Sequence, residues 1–230
     1  MSSNLLTMIV PLKDGASADH LKHPRVDLIE IRGPLPSIAQ GFLDGICKAT
    51  TEWVILANDD ITITPQNVWD GTQPPFDWVD ILEEEIQVLP DPFWLLHPDD
   101  GCFGPRLSIF PILHRLTVLE HLDLIPPFRR YCLDPHLHAI FKAIGRVKYL
   151  PQILFDHQNF YTRENLPAWA SQTRLNYGKH GRIYLCKPGP DVDFDSQLAQ
   201  SLQPKMQAVA EALHARIQER QHVTEHARAV

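Results

Sequence analysis

The chain has 230 residues, of which 44% are hydrophobic and 21% charged, with a formal net charge of -7. That composition suits a globular domain with a sizeable core. An acidic balance with no basic block argues against a nucleic-acid backbone or an anionic membrane surface as main partner.

Four cysteines (Cys47, Cys102, Cys132, Cys186) lie far apart with no C-x-x-C pair. Neither a zinc ribbon nor a disulfide framework is indicated, and a reducing compartment fits. The opening "MSSNLLTMIVPLKDG" has a short apolar stretch and no positive flank, so it reads as a first strand rather than a signal peptide. A cytoplasmic protein without a transmembrane span is expected. Twenty prolines spread through the middle suggest long, stiffened loops.

"LLTMIV" (5–10) and "VDLIEI" (26–31) read as buried parallel strands. Ile38, Phe42, Ile46 and Ala49 recur at helical spacing, with Pro36 in the first turn, which predicts a helix over 36–49. "EWVILA" follows as a third strand. Strand, helix, strand makes a βαβ unit, and hence an α/β protein with a mostly parallel sheet flanked by helices.

"DWVDILEEEIQVL" (77–89) reads as a second helix, with Glu83, Glu84 and Glu85 on a solvated face. "RLSIFPIL" (106–113) resembles a strand interrupted at Pro111, and "TVLEHLDLI" a short helix. "DPHLHAIFKAIG" (134–145) begins with Asp-Pro and ends in Gly, which are N-cap, N1 and C-cap signals. "VKYLPQILF" (147–155) is a strand bent by Pro151. From Asp195, Leu198, Leu202, Met206, Val209, Leu213 and Ile217 trace an amphipathic helix expected to break near Pro204. The division is thus a domain over 1–185 and a C-terminal helical extension over 186–230, the latter packed on the domain or serving assembly with a partner or second copy.

The apolar strand "EWVILA" stops at Asn58, Asp59 and Asp60. In an open α/β sheet ligands bind beyond the carboxyl ends of parallel strands, so these oxygens stand where a site belongs. Adjacent carboxylates repel, and a cation or a set of donors opposite them relieves the repulsion. Hard oxygen ligands suit Mg²⁺ or Mn²⁺, whose shell is completed by substrate phosphates. The alternative is that Asp59 and Asp60 cap a turn before "ITITPQN".

"SIAQGFLDGICKATTEWVILANDDI" resembles GT-A fold, Rossmann-like glycosyltransferases of the family-two type. In these a helix of small residues leads through "A-x-G-E-W/Y" to a strand ending in a D-x-D motif. A second stretch, "FRRYCLDPHLHAIFKAIGRVKYLPQILFDH", resembles the family's "F-x-x-Y-x-E-D-x-D-L-x-x-R-x-x-x-x-G" helix motif, followed by "Y-x-P" and a histidine. The resemblance implies that Asp60 and His157 bind the metal, that Asn58 and Asp59 lie near the donor ribose and diphosphate, and that Asp134 is the general base. "NYGKHGRIYLCKPG" is similar to the family's mobile "Y-x-x-K-W-G" loop, which implies diphosphate contacts from Lys179, His180 and Arg182. An imidazole ligand tilts metal preference from Mg²⁺ toward Mn²⁺.

Together these imply a metal-dependent, inverting glycosyltransferase that moves a sugar from a nucleotide-diphosphate donor to a carbohydrate or other hydroxyl acceptor. The chain departs from the pattern in places. Pro11 is kept at the end of the first strand, but Lys13 stands where an aromatic is expected and Arg32 near the base-reading acid, and both are candidates for phosphate contact. Leu133 replaces the Glu before Asp134. Trp69, Trp94 and Phe103 are candidates for stacking on sugar rings, while Asp99 and Asp100 read equally as a solvated turn and as a hydroxyl-binding pair. Three alternatives stand beside this one: a non-catalytic sugar-nucleotide-binding module, a nucleotidyltransferase, and a zinc site built from "HLH" (136–138) with His157.

Overall fold

The computed structural model describes residues 4–65, 77–130, 132–157, 176–177, 183–184 and 190–229. Seven strands, β1 (Leu6–Pro11), β2 (Val26–Ile31), β3 (Trp53–Leu56), β4 (Ile61–Pro65), β5 (Leu95–Asp99), β6 (Ile112–His114) and β7 (Val147–His157), form one sheet in the order β2-β1-β3-β6-β5-β7-β4. β2, β1, β3, β5 and β7 run one way; β6 and β4 run against them. The result is the expected α/β fold with a mixed, mostly parallel sheet. A separate two-residue pair, Asn176–Tyr177 with Ile183–Tyr184, is antiparallel.

β1 and β3 are buried on both faces, as a central parallel strand requires. Ile9, Val54 and Leu56 point into a cluster with helices α1 (Ile38–Lys48), α3 (Arg115–Glu120), α4 (Leu133–Ala143) and α5 (Pro190–Ala229). Met8, Val10, Trp53 and Ile55 point the other way, toward α2 (Trp78–Gln87). A β-carbon on Gly45 would lie 2.2 Å from Cγ2 of Ile9, and one on Gly41 would lie 3.1 Å from Cβ of Pro11. The glycines let α1 settle directly on β1.

Helix starts follow local chemistry. Ser37 Oγ accepts the Gln40 N–H at 3.0 Å, and Asp77 forms a capping box with Asp80. Of the three glutamates expected on a solvated face, Glu83 pairs with Arg25 at 3.4 Å and Glu85 with Lys148, while Glu84 is exposed.

Three sequence expectations are corrected. The segment 106–113 supplies only the short β6, because residues Gly104–Arg106 form a 3-10 turn. "ITITP", assigned to no element from the sequence, is strand β4, paired along β7. The expected break at Pro204 does not occur: α5 runs through it, with Pro204 on an exposed face. Asp134 is not a cap. Cys132 occupies that position with a left-handed φ of 66° and no side-chain cap bond, so Asp134 lies inside the first turn of α4.

The C-terminal helix packs on the domain, since Leu202, Val209, Ala210, Leu213 and Ile217 join the cluster that holds α1 and α4. Asp195, fully buried, accepts the backbone N–H of Arg129 at 2.7 Å and of Arg130 at 2.9 Å. Among the described residues no helix is long and apolar enough to cross a membrane.

Candidate functional site at the carboxyl edge of the sheet

β1, β2, β3, β5 and β7 all end at one edge of the sheet, so their following residues converge there. Asn58, Asp59 and Asp60 follow β3 and are half-buried. β4 then begins at Ile61, whose register partner is His157, the last residue of β7. That pairing carries Asp60 to the histidine: Oδ1 of Asp60 lies 3.1 Å from Nε2 of His157. The imidazole is 9% exposed and rests edge-on against Phe110, with ring centroids 5.5 Å apart.

α4 brings Asp134 to the same edge. Arg146, just past the helix, accepts the Leu95 N–H at 2.9 Å where β5 begins, so the far end of α4, with Asp134, lies toward the strands' carboxyl ends. Burial, and then the charge of Asp100, push the Asp134 carboxyl up to about 8. This outweighs the first turn of a helix, which by itself favours a carboxylate.

Asp99 and Asp100 are not a solvated turn. They are 5% and 1% exposed. Asp99 accepts the Gly101 N–H at 2.9 Å and the Tyr149 hydroxyl at 2.7 Å. Asp100 Oδ1 accepts the N–H groups of Cys102, Phe103 and Gly104 at 3.2, 2.8 and 3.0 Å. Asp-Asp-Gly is an ordinary turn signature in the sequence, and only the tertiary fold reveals its burial.

Pro11 is buried under α1, and Lys13 is exposed, its carbonyl closing a turn with the Ala16 N–H at 3.1 Å. Arg32 is engaged within the protein. Its Nη2 and Nε donate to Oε2 of Glu30 at 2.7 and 3.2 Å, and its Nη1 to the Ala16 carbonyl at 2.8 Å. Glu30, passed over in the sequence, accepts the Ala18 N–H at 3.0 Å; this bond and Arg32 hold its carboxyl below the usual range. The pair ties the loop after β1 to the end of β2.

Lys179, His180, Arg182 and Trp69 lie outside the described residues. Trp94 carries the Arg146 guanidinium 4.8 Å from its ring centroid, and Phe103 carries that of Arg106 at 5.9 Å. The two histidines of "HLH" diverge: His136 Nε2 is 3.2 Å from the Asp123 carbonyl, while His138 Nδ1 is 2.9 Å from Ser108 Oγ. Among the described residues no group of three or more His, Cys, Asp or Glu side chains is gathered to hold a metal ion.

A scan against protein-family models finds no match, and a search of curated proteins finds none either.

Proposed function

We propose that the chain is a metal-dependent, inverting glycosyltransferase of GT-A type, using a nucleotide-diphosphate sugar as donor and a hydroxyl compound as acceptor. The observation that carries this reading is the approach of Asp60 to His157 at the carboxyl edge of the sheet, 3.1 Å between Oδ1 and Nε2. Two adjacent ligands of an octahedral cation with bonds of about 2.1 Å lie about 3 Å apart, so the pair has the spacing of two neighbouring ligands. Asp60 and His157 would hold Mn²⁺ or Mg²⁺, whose charge would offset that of the leaving diphosphate. Two protein ligands suit a cation that takes the rest of its shell from substrate phosphate and water.

Asn58 and Asp59, beside this pair, would face the donor. Asp134 would take the acceptor hydroxyl's proton as that oxygen bonds to the anomeric carbon and the bond to the diphosphate breaks on the opposite face, which inverts the centre. A carboxyl near 8 is close to working pH, where a general base is most effective.

The test is calorimetric titration with a panel of nucleoside diphosphates and their sugars, in Mn²⁺ and in chelator, for the native chain and Asp60→Ala. Binding that requires the metal and disappears in the variant is the expected result. Absence of binding by every nucleotide overturns the proposal.

A further inference from the structure

α4 and α5 pack together and leave a surface groove of about 730 Å³ between them. Its floor is apolar: Ile140 and Ala210 are buried, Ile144 and Met206 half-buried. Ala139 and Ala143, one turn apart on α4, form a low, exposed wall. Small side chains along a wall leave room for another helix to lie in the groove, its ridge of side chains against the floor.

The opposite wall carries a polar stripe of α5. Gln207, Glu211, His214 and Gln218 line the groove and are exposed. Their spacing of four, three and four residues keeps them on one helical face. Gln207 Nε2 donates to Glu211 Oε1 at 2.9 Å, and Gln218 Nε2 lies 3.0 Å from His214 Nε2. An amide nitrogen only donates, so Nε2 of His214 accepts and its Nδ1 carries the N–H.

This stripe is complementary to itself when reversed. A two-fold axis beside the peptide that joins Ala212 and Leu213 sets Gln207 against Gln218 of a second copy and Glu211 against His214 of that copy. The axis makes each pairing occur twice. Amide then meets amide, carboxylate meets an N–H donor, and no like charges face each other. From Lys205 to Arg220 the helix carries three cations and two carboxylates, so this face lacks the acidic excess of the whole chain.

We propose that the groove is an isologous dimer interface, in which α5 of two copies packs antiparallel and α4 of each copy flanks its partner's α5, giving a four-helix bundle. The apolar floor is then covered by the second copy. Asp134 stands in the first turn of α4, whereas the groove begins at Ala139 and runs to the other end, so the candidate site stays open. The interface does not rest on the glycosyltransferase reading. The stripe from 207 to 218 is about 17 Å long, a small contact, and association in the micromolar range is expected.

Sedimentation equilibrium of the full chain from about 1 to 200 µM tests this, with native protein and three variants: His214→Glu, Ala143→Arg, and the exchange of Glu211→His with His214→Glu. The expected result is a reversible monomer–dimer equilibrium. His214→Glu sets two carboxylates against each other twice, and Ala143→Arg obstructs the groove from α4; each weakens the dimer about tenfold or more. The exchange restores the complementary order and returns affinity to within about threefold of native. A chain that stays monomeric throughout overturns the proposal, whatever foreign helix or apolar molecule the groove accepts. So does a dimer that neither single substitution weakens, which places the contact on another face. Weakening by His214→Glu without recovery in the exchange overturns the antiparallel pairing. The substituted residues are exposed, and His214→Glu with the exchange decides alone should Ala143→Arg not fold.

Discussion

Asp60 and His157 are far apart in sequence, yet β4 turns back along β7 so that Ile61 and His157 are register partners and the two side chains meet at 3.1 Å. If the pair binds Mn²⁺, His157→Ala lowers metal affinity about tenfold or more, by analogy with losses that even indirect ligand partners produce. Titration of Mn²⁺ in the presence of a saturating nucleotide measures it. Equal affinity in native and variant proteins assigns the metal elsewhere.

Asp134 predicts opposite effects on activity and stability. Asp134→Asn loses about 10²- to 10⁴-fold in transfer rate if the carboxylate is the base. For stability the folded-state carboxyl is raised to about 8 from an unfolded value near 3.9. Between those values the folded chain binds the extra proton, so this group's contribution is fully present below pH about 4 and is lost as pH rises toward 8. Asp134→Asn, which has no charge to bury, melts about 2–6 °C above the native chain at pH 8. That gain disappears near pH 4. Thermal melts across the pH range read the crossing, and parallel curves at every pH exclude a raised carboxyl.

Asp195→Ala strands the N–H groups of Arg129 and Arg130, which it holds at 2.7 and 2.9 Å. A loss of about 2–4 kcal/mol is expected in urea unfolding, with Asp195→Asn near half of that because one acceptor remains.

Gly45→Ala puts a methyl 2.2 Å from Cγ2 of Ile9. The cost is about 1–3 kcal/mol. Combined with Ile9→Ala, which removes the clashing carbon, the two losses sum to less than their separate values in a double-mutant cycle. Strict additivity means that α1 does not rest on β1 through this contact.

Pro204→Ala restores a backbone donor in the middle of α5, on an exposed face. Stability rises by about 1–3 kcal/mol, measurable as a shift in urea midpoint at constant slope.

The strand that buries both faces was legible because nothing polar interrupts it: β3 spans Trp53–Leu56, all four residues buried. β5 was hidden by its own composition, "LLHPD", where a histidine and a proline break the signal. Pro98 is tolerated because the register with β7 slips between Pro98 and Asp99, a bulge where a missing donor removes no regular ladder bond. Asp60 could be placed at a strand end from sequence, but its meeting with His157 depends on β4, whose alternating threonines and isoleucines are short and end in proline. Asp134 was singled out twice in the sequence, by the resemblance as a base and by the Asp-Pro signal as a cap; Cys132 takes the cap position, and burial sets the Asp134 carboxyl. Arg32 shows the converse: its partner Glu30 lies two residues away, and no local pattern distinguishes a guanidinium closed on its own strand from one open to a ligand.

The loop 128–130 is gripped from two sides. Its carbonyls from Phe128 and Arg129 accept the first N–H groups of α1, and its own N–H groups at 129 and 130 are held by Asp195 of α5. α5 leaves the ribosome after every strand of the sheet, so the segment that delivers Asp134 stays half-tethered while the sheet already has all its strands. Assembly of the sheet and assembly of the candidate site are therefore separate events in the life of the nascent chain, and the second waits on a helix that contributes no strand to the first.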